Sequence, residues 1–407
     1  MDSCTSPAPR PLFAIIFIMF SRRTDWKLTP NRFTLAHQKV LREGREVLDL
    51  TVSNPTRAGF DYDENAILDA LRNPKSLDYD PQPKGLRCSR ETVAEYYKCG
   101  AGAPAREIDP ENIVLTTSTS EGYSYVFRLL CNPEDEVLVP KPSYPLFDFL
   151  GDLQDVKLVP YPLIYDHGWQ IDFPALEQAL TAKTRAIVLV HPNNPTGAYV
   201  SPEERAQLNQ LCREHEFSLI VDEVFLDYAH DANQPRSFTT NDEALTFTLS
   251  GLSKISALPQ MKLAWIAVSG TQKETTEAMH RLEIIADTYL SVSAPVQLAA
   301  DVLLKQRDHI QAQLMRRIRT NVSELDQQLA KQKSCTRLAL QGGWYAILRV
   351  PVTRSDEDLA VELLQKKSVL VHPGHFYDFP TDGYLVLSLI TPESVFREGI
   401  SRMLQAI

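Results

Sequence analysis

The sequence lacks the surplus of basic residues that is typical of proteins that bind nucleic acids or anionic membrane surfaces. It has 42 lysines and arginines against 52 aspartates and glutamates, which gives a formal net charge of −10. It also has no basic stretch with interleaved aromatic residues. This acidic balance argues against nucleic acid and against anionic membranes as partners.

The chain also lacks paired cysteines and clustered metal ligands. Its six cysteines are far apart, and none forms a C-x-x-C pair, which excludes zinc-ribbon and dithiol redox motifs. We expect these thiols to stay reduced, as in a cytoplasmic protein. Of the nine histidines, His372 and His375 stand close together, but they read as part of a turn. We therefore predict no metal site.

The apolar run Pro11–Phe20 is too short to span a bilayer. The residues after it, Ser21 to Arg23, make a poor signal-peptide cleavage site, although a signal peptide stays the alternative. We interpret residues 1–18 as an upstream extension, with Met19 as the start of the ordinary chain. Residues 1–23 are expected to be disordered or loosely docked.

Between residues 85 and 300, apolar strand-like runs alternate with amphipathic helical segments. Seven strands are predicted: Asn112–Thr116, Glu136–Val139, Val156–Pro160, Ala186–Val190, Ser218–Asp222, Leu245–Ser250 and Leu263–Val268. This pattern predicts an α/β fold with a mostly parallel seven-stranded sheet flanked by helices. One long helix is predicted from Val296 to Ala330.

The predicted domain organisation has a large unit and a smaller one. Residues 24–75 are interpreted as an N-terminal arm and part of the small domain, residues 76–300 as the large domain, and residues 301–407 as the small C-terminal domain. The small α+β domain is therefore expected to draw on both chain ends. A chain of 407 residues is long enough for two or three such units.

One lysine stands out, because Lys254 lies in a Ser-Lys step between two apolar strand-like runs. A lysine between buried strands costs free energy unless it is neutral, paired or covalently used. Lys254 is therefore a candidate reactive amine. The alternative is a solvated loop lysine.

Two further candidates stand at strand ends. Asn194 lies in the loop His191–Gly197, where turn-forming residues follow a strand, so its amide is either aimed at a ligand or part of a plain turn. Asp222 closes the apolar run that begins at Leu219. A carboxylate there needs a partner, such as a protonated ring nitrogen, unless it only caps the next element.

The stretch Thr116–Gly122 places hydroxyl groups between a strand and a helix. Hydroxyls and backbone N–H groups at a helix start form an anion site, and a simple helix cap is the equal alternative. In the proline-rich loop that follows the next strand, Tyr144 either stacks on a flat ring or is an ordinary core or surface tyrosine.

Together, the N-P-T-G loop at 194–197, the D-E-V run at 222–224 and the S-K step at 253–254 resemble the class I/II aminotransferases. These are fold-type-I enzymes that use pyridoxal 5′-phosphate. The resemblance extends over residues 30–407. It implies pyridoxal 5′-phosphate as the cofactor, an amino donor and a keto acid acceptor as substrates, and a homodimer with active sites at the subunit interface.

The resemblance also implies a role for each candidate. Lys254 would form the internal aldimine and move the proton between substrate and cofactor. Asp222 would hold the proton on the pyridine nitrogen, and Asn194 would donate to the phenolic oxygen. The remaining expected cofactor contacts are ring stacking by Tyr144, the phosphate cradle of Ser118, Thr119 and Ser120, and Tyr79 reaching the phosphate from the partner subunit.

The departures from the family pattern concern four positions. Phe225 stands where a tyrosine is usual, and it cannot donate to the phenolic oxygen. Lys262 replaces a phosphate-binding arginine, so charge is kept but the bidentate fork is lost, and Gly251 replaces a serine. Val386 occupies the place of the arginine that grips the substrate carboxylate.

The sequence therefore predicts a pyridoxal-phosphate-dependent aminotransferase that acts on an amino acid or a related amine through Lys254, with atypical carboxylate recognition. One alternative is a lyase, by C–S cleavage or β-elimination, or a decarboxylase on the same scaffold, because the fold alone does not choose among these reactions. The other alternative is a non-catalytic regulatory or scaffold protein that binds the cofactor.

Overall fold

The computed structural model describes residues 19–99, 107–231 and 237–407, so the predicted extension at residues 1–18 lies outside them. The α-helices are α1 Arg32–Arg42, α2 Glu64–Ala70, α3 Arg87–Cys99, α4 Thr119–Leu130, α5 Phe147–Leu153, α6 Phe173–Ala179, α7 Pro202–His215, α8 Leu252–Ile255, α9 Gln272–Tyr289, α10 Ala294–Leu298, α11 Ala300–Lys305, α12 Arg307–Leu329, α13 Asp356–Glu362 and α14 Glu393–Leu404. The strands are β1 Leu48–Asp49, β2 Ile113–Thr116, β3 Glu136–Lys141, β4 Lys157–Tyr165, β5 Trp169–Ile171, β6 Thr184–Val190, β7 Ser218–Asp222, β8 Thr246–Gly251, β9 Ala264–Ser269, β10 Thr336–Arg337, β11 Tyr345–Arg349, β12 Val369–Leu370, β13 His372–Pro373 and β14 Tyr384–Ser388. Short 3-10 turns occur at Arg22–Thr24, Pro55–Arg57, Pro74–Leu77, Pro110–Asn112, Pro259–Met261 and Gly374–Tyr377, and a π-helical turn at Leu363–Lys367.

The central sheet has the strand order β2-β9-β8-β7-β6-β3-β4-β5. It is largely parallel, with β9 antiparallel to both of its neighbours and β5 antiparallel to β4. The predicted seven strands are one too few. The eighth, β5, has only three residues and returns along β4 from a tight turn in which the Asp166 N–H donates to the Gly168 carbonyl at 2.9 Å.

Helices cover both faces of this sheet because its central strands are apolar on both sides. In β6, Val188 faces a core layer shared with α4 and α9, whereas Leu189 faces a layer shared with α7. The first layer includes Phe127 of α4, and the second includes Leu208 of α7. The strands are therefore fixed from both sides, which sets the positions of their ends.

A second, smaller sheet has the order β10-β11-β14-β13, and β1 pairs in parallel with β12 beside it. Residues from both chain ends share one core here, with Val40 of α1, Leu314 of α12 and Phe396 of α14 among the buried side chains. The small unit is thus closed by segments that are more than 300 residues apart in sequence.

The predicted single helix from Val296 to Ala330 is wrong, because three helices, α10 to α12, occupy this stretch. The first break follows contacts made by Gln297. Its backbone carbonyl accepts from the Ser89 hydroxyl at 2.6 Å, and its side-chain oxygen accepts from the Leu86 N–H at 2.6 Å. These bonds tie the turn to α3, so it does not continue as one straight helix.

Candidate active site

Three of the predicted site residues lie at one edge of the large sheet. Asp222 ends β7, Asn194 lies in the loop after β6, and Lys254 lies in α8, which follows β8 directly. These three strands are neighbours and run parallel. Their carboxyl ends therefore meet at the same edge, where ligands bind in open α/β sheets.

Asp222 is a buried carboxylate, 9% exposed. Its Oδ1 accepts from the Val224 N–H at 3.1 Å, and its Oδ2 accepts from the Tyr123 hydroxyl at 3.3 Å. Burial raises the pKa of Asp222 to about 6, against these two bonds and the charge of Lys254, which lower it. Among the described residues Asp222 forms no ion pair, so a cationic ligand group has an evident place beside it.

Lys254 is half-buried in an aromatic setting. Its Nζ lies 5.0 Å from the ring centre of Trp344 and 5.6 Å from that of Phe225. Burial lowers the pKa of the Lys254 amine to about 8, although the charge of Asp222 raises it. The Tyr228 hydroxyl donates to the Lys254 carbonyl at 2.7 Å and so fixes the backbone beneath the amine.

The Asn194 loop is held rigidly from below. Asn193 accepts the Thr196 hydroxyl at 3.0 Å through its side chain and the Gly197 N–H at 2.7 Å through its carbonyl. Gly197 has a φ of +69°, and a Cβ there would meet the Gly342 carbonyl at 2.4 Å. Asn194 itself is 9% exposed, and its side-chain oxygen has no hydrogen-bond partner among the described residues.

The predicted phosphate cradle is the start of α4. The Ser118 hydroxyl caps this helix by accepting from the Glu121 N–H at 3.2 Å. Thr119 and Ser120 form the first turn, where backbone N–H groups have no intrahelical acceptor. The Glu121 carboxylate turns away and accepts from the Thr117 N–H at 2.7 Å. The structure shows the helix cap at Ser118, and anion binding at this helix start stays a prediction.

Lys262 precedes β9, the strand that pairs with β2, and β2 leads directly to the predicted cradle. The last residue of β2, Thr116, pairs with Ala264, the first residue of β9, so both segments leave the sheet at the same edge. Lys262 is exposed and has a φ of 54°, at the end of a 3-10 turn. A contact between Lys262 and the cofactor phosphate stays a prediction.

The two predicted tyrosines have different settings. Tyr144 is 41% exposed, packs edge-on against Phe147, and burial of its hydroxyl raises its pKa with a further contribution from Asp222. Tyr79 is 84% exposed and lies on the rim of a cleft of about 420 Å³ between residues 75–86 and 286–298. Within one chain, Tyr79 is therefore a surface residue.

Phe225 and Val386 are both buried in the core of the small unit. The Phe225 ring lies 5.2 Å from the Trp344 ring, and it forms part of the wall beside Lys254. Val386 is 1% exposed and pairs with Ile347 of β11 and His372 of β13. Val386 thus presents an apolar surface at the position where the resemblance implies an arginine.

Four aromatic residues of the site were not foreseen from the sequence: Tyr123, Trp344, Tyr345 and Tyr377. Trp344 follows two glycines, and the close approach of Gly342 to Tyr199 requires a residue without a side chain there. This pair of glycines was the sequence feature that could have drawn attention to Trp344. Tyr123 gave a weaker one, since it lies one helical turn beyond the α4 cap.

These residues fit pyridoxal phosphate. A buried carboxylate without a cation, a half-buried amine of lowered pKa and the buried Asn194 amide all meet at one sheet edge. The start of α4, the predicted phosphate cradle, is joined to this group through the bond between Tyr123 and Asp222. In the described ranges, no three histidine, cysteine or acidic side chains are placed to share a metal ion.

The fold and this site have the features of the fold-type-I pyridoxal-phosphate enzymes. The profile of the family "Aminotransferase class I and II" matches residues 45–397, and the chain belongs to that family. Its members use pyridoxal phosphate as cofactor and transfer amino groups, so this chain is a pyridoxal-phosphate-dependent transaminase. No helix within the described ranges is long and apolar enough to cross a membrane.

Two similar relatives are named for their reactions. The glutamate-pyruvate aminotransferase AlaA of Haemophilus influenzae is 28% identical over 364 residues, which cover 87% of this chain and 89% of the relative. The alanine aminotransferase of Mycobacterium bovis is 28% identical over 365 residues, covering 86% of this chain and 84% of the relative.

Two solved structures show the same fold. The alanine aminotransferase of Pyrococcus furiosus superposes with a TM-score of 0.81 at 23% identity, covering 91% of this chain and 94% of that one. A single mutant of the Thermus thermophilus aspartate aminotransferase has a TM-score of 0.80 at 21% identity, covering 95% of this chain and 99% of that one.

Proposed function

We propose that this chain transfers an amino group between an amino acid, or a related amine, and a 2-oxo acid, with Lys254 as the amine that holds pyridoxal phosphate. The observation that carries the proposal is the pairing of a lysine whose pKa is lowered to about 8 with a buried Asp222 whose pKa is raised to about 6. Perturbed pairs of this kind cluster at catalytic sites.

Lys254 acts as a base because its amine is unprotonated in a fraction of the molecules at neutral pH. A pKa of about 8 leaves roughly a tenth of the amine unprotonated at pH 7, against well under a thousandth for an ordinary lysine. The rings of Trp344 and Phe225 exclude water on one side and lower the pKa by burial. With the cofactor bound, Lys254 would take the proton from the substrate α-carbon and pass it to the cofactor carbon that receives the amino group.

Asp222 and Asn194 orient the cofactor. When bound, pyridoxal phosphate supplies an aldehyde that condenses with amines and a ring that accepts electrons. At pH values above about 6 the Asp222 carboxylate is ionised, and we assign it to the protonated ring nitrogen. Asn194 is assigned to the ring oxygen, Tyr144 to a ring face, and the α4 start with Lys262 to the phosphate.

We further propose a homodimer in which Tyr79 of one copy reaches the phosphate cradle of the other. Tyr79 is among the most exposed large side chains of the described surface, and it borders the cleft between residues 75–86 and 286–298. Sedimentation of the purified protein tests the assembly. Dilution that separates the copies is expected to weaken cofactor binding, and a fully active monomer contradicts this part of the proposal.

The substrate test uses the purified protein with added pyridoxal phosphate and a panel of amino acids and simple amines. A substrate that converts the cofactor to its amine form, reversed by a 2-oxo acid, supports amino transfer. Release of ammonia with pyruvate identifies a lyase, and release of carbon dioxide identifies a decarboxylase. Binding of the cofactor without turnover of any compound in the panel supports the non-catalytic alternative.

A further inference from the structure

The smaller sheet offers few groups that can hold a negatively charged substrate. Its four strands carry three basic side chains: Arg337, Arg349 and His372. Arg337 is committed to Asp326, with Nε and Nη2 at 2.8 and 3.0 Å from the two carboxylate oxygens. Arg349 lies over the Tyr165 ring, 5.7 Å from its centre, at the far end of β11. The remaining basic side chain is His372, on the edge strand β13, where it pairs with the central residue of β14.

His372 stands directly across from Val386 in the pairing of β13 with β14. Opposed residues of an antiparallel pair point to the same face of a sheet. Tyr345 shares this face, because its partner in β14 lies two residues from Val386. The Tyr345 ring is 6.4 Å from the Phe225 ring, which borders Lys254. His372 is therefore on the sheet face that carries Tyr345, and Tyr345 neighbours the Phe225 ring beside Lys254.

The hydrogen bonds of His372 leave one ring nitrogen available. Nδ1 lies 3.1 Å from the Tyr377 hydroxyl oxygen, and Nε2 forms no hydrogen bond within the described residues. Tyr377 is buried beside Tyr345, with ring centres 6.4 Å apart. The imidazole is thus anchored at one nitrogen and open at the other.

The protonation of His372 depends on the charged groups beside it. Burial lowers the pKa of His372, and Asp49 of β1 opposes that shift. Its other titratable neighbour is the Tyr377 hydroxyl, while the residues facing it from β14 and the following turn, Val386 and Phe376, are apolar. A bound carboxylate adds a second negative charge and favours the protonated ring.

We propose that His372, anchored by Tyr377, receives the substrate carboxylate in the place that Val386 leaves without a charge. This inference rests on the proposed amino transfer at Lys254. In the protonated ring, Nε2–H donates to a carboxylate oxygen and Nδ1–H donates to the Tyr377 oxygen. One imidazolium lacks the bidentate fork of a guanidinium, so carboxylate binding is weaker and depends on pH.

The first test is independent of catalysis. Histidines labelled with carbon-13 at Cε1 are titrated by NMR in the holoenzyme, with and without 3-phenylpropanoate. We expect this carboxylate to raise the pKa of one imidazole by about one unit, and that resonance to be missing in His372→Gln. The neutral analogue 3-phenylpropanamide serves as the matched ligand and is expected to leave the titration unchanged.

The second test separates binding from chemistry. For an amino acid identified in the substrate panel, His372→Gln is expected to raise KM about tenfold at pH 6 with kcat within about twofold, and to have little effect at pH 8.5. Arg349→Gln is the matched control on the same sheet. Circular dichroism and cofactor absorbance establish that both variants are folded and loaded.

The outcomes distinguish this inference from the proposed function. Transamination with an unchanged KM in His372→Gln, or a raised KM in Arg349→Gln instead, overturns the role of His372 and leaves amino transfer intact. A 3-phenylpropanoate titration that shifts no imidazole also overturns it. Absence of transamination with every amino acid defeats the proposed function, and the NMR titration then decides on His372 alone.

Discussion

The active site has two halves that differ in what holds them. The large-sheet half consists of Asn194, Asp222 and Lys254, each positioned by the end of a buried parallel strand. The small-sheet half consists of Tyr345, His372 and Val386, positioned by antiparallel register. The first half carries the residues that we propose for cofactor binding, and the second departs from the family pattern at Val386. We therefore expect cofactor chemistry and substrate recognition to be separable in this chain.

The largest expected effect is at Lys254. Lys254→Ala removes the amine that we propose holds the cofactor and moves the proton, and activity is expected to fall by about 10⁴-fold or more. Lys273→Ala, an exposed lysine of α9, is the matched control and is expected to keep full activity. The measurement is kcat on the substrate found in the panel. Comparable losses in both variants would show that Lys254 has no special role.

Asp222→Asn is expected to lose activity while gaining stability. The folded-state pKa of about 6 lies above the ordinary 3.8, so the cost of the ionised carboxylate is absent below 3.8, grows as the pH rises from 3.8 to 6, and is fully present above 6. In the cofactor-free protein at pH 7.5, the variant is expected to be more stable by about 2 to 3 kcal/mol.

Urea unfolding of the cofactor-free protein at two pH values checks this sign. The gain is expected at pH 7.5 and is expected to be absent at pH 3.5, where the wild-type carboxylate is also neutral. A variant that is less stable at pH 7.5 would mean that Asp222 is paired by a cation in the free protein. The charged carboxylate would then stabilise the folded protein even without the cofactor.

Much of the large-sheet half was predictable from sequence because its positions are local. Each site residue follows an apolar run, and the turn chemistry around Asn194 and the cap at Ser118 involve neighbours in the chain. The strand β5 was not predicted, because a pattern of three residues is too short to show a period. The breaks in the predicted helix 296–330 escaped because they depend on α3, about 200 residues earlier.

The small-sheet half was less predictable for the same physical reason. The sequence shows that Val386 is apolar, but only the register of β13 with β14 places His372 opposite to it. Trp344 and Tyr345, just before and at the start of β11, lie near Lys254 of α8 and Phe225 of the segment after β7. Contacts of this kind join residues that are far apart in sequence, so no local sequence pattern predicts them.

Val386→Ala sharpens the comparison by testing whether this position acts through packing. Val386 is buried between Ile347 and His372, so removing two methyl groups is expected to cost about 1 to 2.5 kcal/mol of stability. Cofactor absorbance is expected to stay unchanged. Val352→Ala, at an exposed position, is the control for urea unfolding. Unchanged stability together with lost cofactor binding would show that Val386 supports cofactor binding, and the two halves of the site would then not be separable.

The smallest expected effect is at the boundary between the halves. Phe225→Tyr places a hydroxyl on the ring that lies 5.6 Å from the Lys254 amine. A donor to the cofactor's phenolic oxygen stabilises its charge, so the pH at which the bound cofactor changes colour is expected to fall by about one unit. An absorbance titration measures this shift. An unchanged or higher midpoint would mean that the new hydroxyl points elsewhere.

The account depends most directly on the identity of the lysine that holds the cofactor. The protein is loaded with pyridoxal phosphate, reduced with sodium borohydride, digested and analysed by peptide mass spectrometry, because reduction makes a lysine-bound cofactor permanent. The account predicts a single labelled peptide that carries the modification on Lys254. A label on another lysine such as Lys262, or no label in a protein that catalyses amino transfer, would contradict it.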